Sequence, residues 1–200
     1  ASLVGPLAAA IPGLPAGLAH LAKRYGRLPL RQSLSAAIRL AEDGFPIDAR
    51  YRAMAESQLA LLQSHPDASA QLLINQTVPK VGELLKQPQL AGTLRVLAQQ
   101  GSAGFYRGPV ARAMVTAVRA QGGIWTQADL ARYQVKERTP IVFDYRGLRI
   151  VSAAPPSAGG LTLAETLNIL ARFDLAQQSQ AQQMHMVAEG VETVKAVHGL

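Results

Sequence analysis

The chain has 200 residues, 48% of them hydrophobic, and a formal net charge of +7. That length suits one domain or one large piece of a bigger fold, and the apolar fraction excludes an intrinsically disordered chain. There is no cysteine, which excludes disulfides, cysteine zinc sites and thiol nucleophiles together.

The opening, "ASLVGPLAAAIPG", lacks the basic region of a secretory signal. Its Gly5, Pro6, Pro12 and Gly13 suit a short buried strand and a turn. No apolar run is long enough to span a bilayer. A basic stretch, 23–39, follows: Lys23, Arg24, Arg27, Arg31 and Arg39 all precede the first acid, Glu42. No aromatic residues interleave for base stacking and no nucleic-acid motif accompanies the charge, so no nucleic-acid partner is expected. The stretch is read as a solvated helix face plus a loop. A surface matched to an acidic partner subunit, or a non-catalytic binding module, is the alternative.

Helical spacing then dominates. Leu30, Leu34, Ala37, Ile38 and Ala41 share a face, stopped by Gly44. Tyr51, Ala55, Leu59 and Leu62 mark a second face ending near Pro66, and Leu90, Leu94 and Leu97 a third closed by Gly101. Val110, Met114 and Val118 mark a fourth, closed by Gly122 and Gly123. Thr126 with Asp129 forms an N-terminal capping pair for a short helix through Tyr133.

At 139–153 the period changes to two. Ile141, Phe143 and Tyr145 fall on one face and Val142 and Asp144 on the other; Arg146 and Gly147 supply a turn, and Leu148, Ile150 and Ser152 resume the alternation. That predicts a β-hairpin. Two helices follow, striped by Leu163, Leu167 and Leu170, then by Met184, Val187, Val191 and Val194, with Gln-rich 176–183 as a loop or helix start between them. The expected class is α+β and helix-rich. Residues 1–138 are read as mainly helical after a short N-terminal strand, and 139–200 as hairpin, corner and two helices of one fragment. Two strands do not make a stable sheet by themselves, so both ends are expected to be cuts through a larger fold, and the isolated piece to self-associate.

The run "VSAAPPSAGG", 151–160, sits between strand and helix, where backbone N–H groups can hold an anion. No Lys-Ser or Lys-Thr follows Gly159 and Gly160, and Ser157 is not in a G-x-S-x-G turn, so phosphate and serine chemistry both lack partner residues. His185, Glu189 and Glu192 recur at i, i+4 and i+7. Without H-E-x-x-H or a second ligand-bearing segment, an exposed polar face with a Glu192–Lys195 pair is expected, and no metal site. His20, His65 and His198 stand alone, and Glu42 with Asp43 reads as a helix end. From the residues alone, no self-contained active site emerges.

Longer blocks carry a resemblance. "AAAIPGLPAGLAHLAKRYGRLPL" with "AIRLAEDGFPI", then "LLKQPQLAGTLRVLAQQGSAGFYRGPVARAMV", "GGIWTQADLARYQVKERTPIVFDYRG" and "PPSAGG" followed by "LNILARFDL" occur in this order over nearly the whole chain. Together they are similar to the large subunit of the γ-glutamyltransferase (γ-glutamyltranspeptidase) family. The resemblance implies part of an N-terminal-nucleophile hydrolase fold of four layers, αββα. It also implies a self-cleaving precursor whose small catalytic subunit is this chain's partner. The nucleophile is the small subunit's N-terminal threonine, activated by its own amine. It takes the γ-glutamyl group of a glutathione-like amide and passes it to water or an amine, with no cofactor.

On that resemblance the nucleophile lies beyond Leu200 and the arginine that holds the substrate carboxylate lies before Ala1. No catalytic or substrate-binding residue is then expected in this chain. Pro155, Pro156, Ser157, Gly159 and Gly160 are read as a structural corner. Bacterial members imply a periplasmic or extracellular location. The sequence departs from the family pattern at Ala158, where a second serine is frequent, and at Val197 and His198, where an aromatic residue is common. Related acylases and capsule-processing transpeptidases share the scaffold.

Overall fold

The computed structural model describes residues 5–198. The chain divides into two compact units, Ala1–Val135 and Lys136–Leu200. In the first, helices α1 (Leu14–Arg24), α2 (Leu30–Ser33) and α3 (Ser35–Asp43) lead to strand β1 (Phe45–Pro46). Helices α4 (Ala49–Ser57), α5 (Leu59–Gln63) and α6 (Pro66–Leu72) precede β2 (Leu84–Leu85). Helices α7 (Pro88–Gln100), α8 (Ser102–Tyr106), α9 (Pro109–Ala120) and α10 (Gln127–Ala131) complete the unit. The second unit is a hairpin, β3 (Ile141–Tyr145) and β4 (Leu148–Ser152), then α11 (Ala158–Leu170), a 3-10 turn at Leu175–Gln177, and α12 (Gln180–His198). The described residues are helix-rich with two small antiparallel sheets.

The local rules explain many boundaries. Prolines open α1, α6, α7 and α9 within their first two positions, where the missing N–H would have had no partner. Asp48 caps α4 by accepting from the Tyr51 N–H at 2.7 Å. At α10 the Thr126 hydroxyl accepts from the Asp129 N–H while the Asp129 carboxylate accepts from the Thr126 N–H. The Thr126 hydroxyl, then its amide, hold the Asp129 carboxyl below the usual carboxylate range.

Several expectations change. The helix over 30–43 breaks at Leu34 into α2 and α3. Pro66, read as a stop, instead begins α6. Of the expected N-terminal strand, residues 1–4 lie outside the described residues. From 5 to 13 the chain runs as turn and coil, with Gly5 at φ +89° and no N–H on Pro6 for a ladder. The pairs Phe45–Leu85 and Pro46–Leu84 join segments with no strand pattern of their own.

The core of the first unit gathers Ala16, Leu34, Leu97, Phe105, Tyr106, Ala111, Val115, Trp125 and Leu130. Tyr106 ties it together. Its hydroxyl donates to the Pro12 carbonyl at 2.5 Å and accepts the Ala16 N–H at 3.2 Å, while its ring stacks on Tyr133. Burial raises the phenol above its ordinary range; the Ala16 N–H opposes this and Tyr133 adds to it. Tyr106→Phe leaves the Pro12 carbonyl and Ala16 amide without their partner, and is expected to cost about 1–3 kcal/mol. Chemical denaturation of the full protein measures it; an unchanged midpoint would remove Tyr106 as the tie.

In the second unit, the register places Ile141, Phe143 and Tyr145 opposite Ser152, Ile150 and Leu148. Arg146 at φ +49° and Gly147 at φ +81° form the two-residue turn, the geometry that matches strand twist. The Arg146 guanidinium donates to the Phe173 carbonyl at 2.9 Å, beyond the end of α11. Helices α11 and α12 pack together; Leu170 and Val194 are buried, and small residues are buried with them. Leu163, Met184 and Val187 are exposed, while Ala164 and Gly190 are buried. Small residues let helix axes approach, so they take the tightest positions. At Gly190 an added Cβ would meet Thr166 Cγ2 at 3.5 Å and Leu170 at 3.9 Å, ordinary contact. Gly190→Ala is therefore expected to stabilise by about 0.5–1 kcal/mol through helix propensity. A lowered melting temperature would show that the helices need closer approach still.

Candidate functional site

The run from β4 into α11 was the strongest site candidate in the sequence. Strand β4 ends at Ser152, the Pro155–Pro156 bond is cis, and the Ser157 N–H closes a turn onto the Ala154 carbonyl at 3.2 Å. Helix α11 then starts at Ala158, and the exposed Ser157 hydroxyl makes no cap bond. The two glycines differ. A Cβ on Gly159 would meet nothing within 4 Å, whereas one on Gly160 would lie 2.2 Å from the Ala153 carbonyl oxygen and 2.9 Å from Ser152 Oγ. Only Gly160 is required by close packing. It lets the first turn of α11 rest on the strand's exit.

The other candidates do not assemble a reactive centre. His185, Glu189 and Glu192 lie exposed on α12, and Glu192 pairs with Lys195 at 2.9 Å. Among the described residues no cluster of three metal-ligating side chains occurs. His65 shares its Nδ1 with Ser64 Oγ and the Leu61 carbonyl, within its own helix end. The side chain of His198 lies outside the described residues. Glu42 is not merely a helix end: it pairs with Arg95 of α7 and so bridges α3 to α7. No local sequence signal marks a pair 53 positions apart.

A cleft of about 770 Å³ opens between α1, α8 and the segment after α10, with His20, Lys23, Ser102, Tyr106, Arg107 and Tyr133 among its walls. Its lining holds two permanent cations and no carboxylate. It therefore holds no carboxylate acid–base pair. Sequence reading missed this cleft, because Tyr106 and Tyr133 meet only through tertiary packing.

A helix-rich scaffold and a hairpin feeding a helix through a tight corner are the described features, and their match to a solved γ-glutamyltranspeptidase makes the class part of an N-terminal-nucleophile hydrolase fold. The solved γ-glutamyltranspeptidase of Helicobacter pylori superposes on it with a TM-score of 0.95 at 34% identity, covering 100% of this chain and 58% of that one. The family model for gamma-glutamyltranspeptidase matches residues 1–198, and the chain belongs to that family. A glutathione hydrolase proenzyme of Pseudomonas sp. (strain A14) is 37% identical over 194 residues, 96% of this chain and 34% of the relative. An acylase ACY 1 proenzyme of Pseudomonas sp. (strain V22) is 34% identical over 193 residues, 96% of this chain and 35% of the relative. The chain thus spans about a third of the length of these curated relatives. No described helix is long and apolar enough to cross a membrane.

Proposed function

We propose that this chain is a scaffold portion of an enzyme that hydrolyses or transfers the γ-glutamyl group of glutathione-like amides. Superposition of all of this chain on 58% of a solved γ-glutamyltranspeptidase chain is the observation that carries the reading, and the glutathione hydrolase relatives supply its substrate class. In this reading the precursor cleaves itself, the small catalytic subunit provides an N-terminal threonine absent from this chain, and backbone N–H groups there hold the oxyanion. The residues 155, 156, 157, 159 and 160 act as a structural corner and touch no substrate. If it follows the bacterial family its sequence resembles, the enzyme works in the periplasm or outside the cell.

The test uses the whole precursor with a chromogenic γ-glutamyl amide. Cleavage into two chains and release of the chromophore are expected, with no turnover by the 200-residue chain alone. Turnover that tracks the purified 200-residue chain would place the chemistry here and overturn the assignment. A processed enzyme that ignores the γ-glutamyl amide but cleaves an acyl amide lacking the α-amino group would move it to the acylases, as the acylase relative allows.

A further inference from the structure

The cleft that the catalytic reading leaves unused is a groove with small-residue walls. Helix α1 contributes Ala19 and Ala22, and the passage from α7 into α8 contributes Gly101 and Ala103. Short side chains on both elements leave the space that larger ones would fill. Tyr106 and Tyr133 belong to the lining, their rings stacked with centres 5.2 Å apart. The Tyr106 hydroxyl donates to the Pro12 carbonyl and accepts the Ala16 N–H, so its proton is already committed. Lys23 lies in the last turn of α1 and Arg107 follows α8, both exposed. Among the described residues no carboxylate lines the groove. Arg107 gives one N–H to the Ala131 carbonyl at 3.4 Å, and a guanidinium has further donors for a carboxylate.

These features distinguish two kinds of occupant. A small-molecule site fixes its ligand with a few well-placed polar groups inside a pocket. Here the cations are exposed and the Tyr106 proton is taken, so a small ligand would have little to orient it. A chain segment needs an apolar bed with charge at the rim, the pattern of a protein interface. The enzyme has chain to supply it. The solved γ-glutamyltranspeptidase that covers all of this chain is itself covered over only 58% of its length, and the curated relatives over about a third. The net charge of +7 sets the sign of that segment, because a surplus of one charge is offset by acids elsewhere in the same assembly. Resting on the scaffold reading above, we propose that an acidic segment of the rest of the precursor lies in this groove. Its apolar side chains pack between the alanines and against Tyr133, and its carboxylates meet Lys23 and Arg107.

Carbodiimide coupling of the full-length protein tests this, since the reagent joins an amine to a carboxylate only where the two touch. Digestion and mass spectrometry should find Lys23 joined to an Asp or Glu from outside the 200 residues, in a yield that falls as salt rises. Arg107→Gln should lower that yield several-fold by removing one of the two cations, and Ala19→Trp should abolish it by filling the groove. The parent protein alone decides the main point, so a variant that misfolds does not protect the proposal. A folded parent in which Lys23 couples only to carboxylates within the 200 residues, or only to added acetate, would overturn it. So would a Lys23 product that both variants give in full yield. The two readings fail separately. A precursor that neither cleaves itself nor turns over the chromogenic amide, yet gives the Lys23 product, would sink the enzyme assignment and retain the groove's occupant.

Discussion

Gly160→Ala is expected to leave the precursor poorly folded and largely unprocessed. The added carbon would sit 2.2 Å from the Ala153 carbonyl oxygen, and that oxygen belongs to backbone, so no rotamer change relieves it. Either α11 lifts from the exit of β4 or the 153–156 segment shifts, against two prolines that restrict it. Overpacking of this kind costs about 3 kcal/mol, a large share of a typical domain's stability. A β-branched residue should do worse. Gly159→Ala is the control, since its Cβ faces open space and the change should lie within about 0.5 kcal/mol of neutral. Soluble yield, thermal midpoint and the fraction of precursor cleaved read the outcome. If Gly160→Ala instead gives stable, fully processed enzyme that has lost only substrate binding, the corner is part of the site and the scaffold reading fails.

The difference between these adjacent glycines marks the limit of sequence reading here. The order strand, turn, helix was legible because proline and glycine act within a few residues, as were the hairpin turn at Arg146–Gly147 and the capping pair Thr126–Asp129. Which glycine is indispensable depends on a carbonyl oxygen seven positions back in the chain, at Ala153. The same logic explains the helix faces. Counting large apolar residues selected Leu97, Leu170 and Val194, which are buried, but also Leu90, Leu163 and Met184, which are exposed, while Ala91, Ala164 and Gly190 are buried. Helix spacing reveals that a face exists; the closeness of the neighbour decides whether a leucine or an alanine occupies it. The Tyr106 hydroxyl bonds to Pro12 and Ala16, and the Glu42–Arg95 pair, had no local signature at all. Long blocks of similarity, rather than any motif of chemistry, carried the family assignment.

The isolated 200-residue chain is expected to self-associate, and the hairpin is the element that drives it. Val142 and Val151 are directly opposite across β3 and β4, 45% and 62% exposed, and Leu148 is 67% exposed at the turn. Among the described residues no third strand joins this sheet, so its outer edges keep unpaired N–H and C=O groups. A two-stranded sheet is marginal by itself. Edge pairing with another copy would satisfy the backbone groups, and stacking of a second hairpin would cover the valines. Sedimentation velocity over a range of concentrations should therefore show oligomers, with a hydrophobic dye bound to whatever apolar face stays open. The double variant Val142→Lys, Val151→Lys should shift the chain toward monomer while its far-ultraviolet helix signal is unchanged, because those side chains leave the helices alone. Charged residues on a strand face block stacking and edge pairing alike. A strictly monomeric, dye-silent parent would show that the hairpin is already satisfied within this chain. Oligomers that the double variant preserves would move the contact to a different surface. In the processed enzyme the same valines should resist the change differently. If the remaining chain covers this face, the double variant should reduce processing of the full precursor, which separates a shielded hairpin from one that faces solvent.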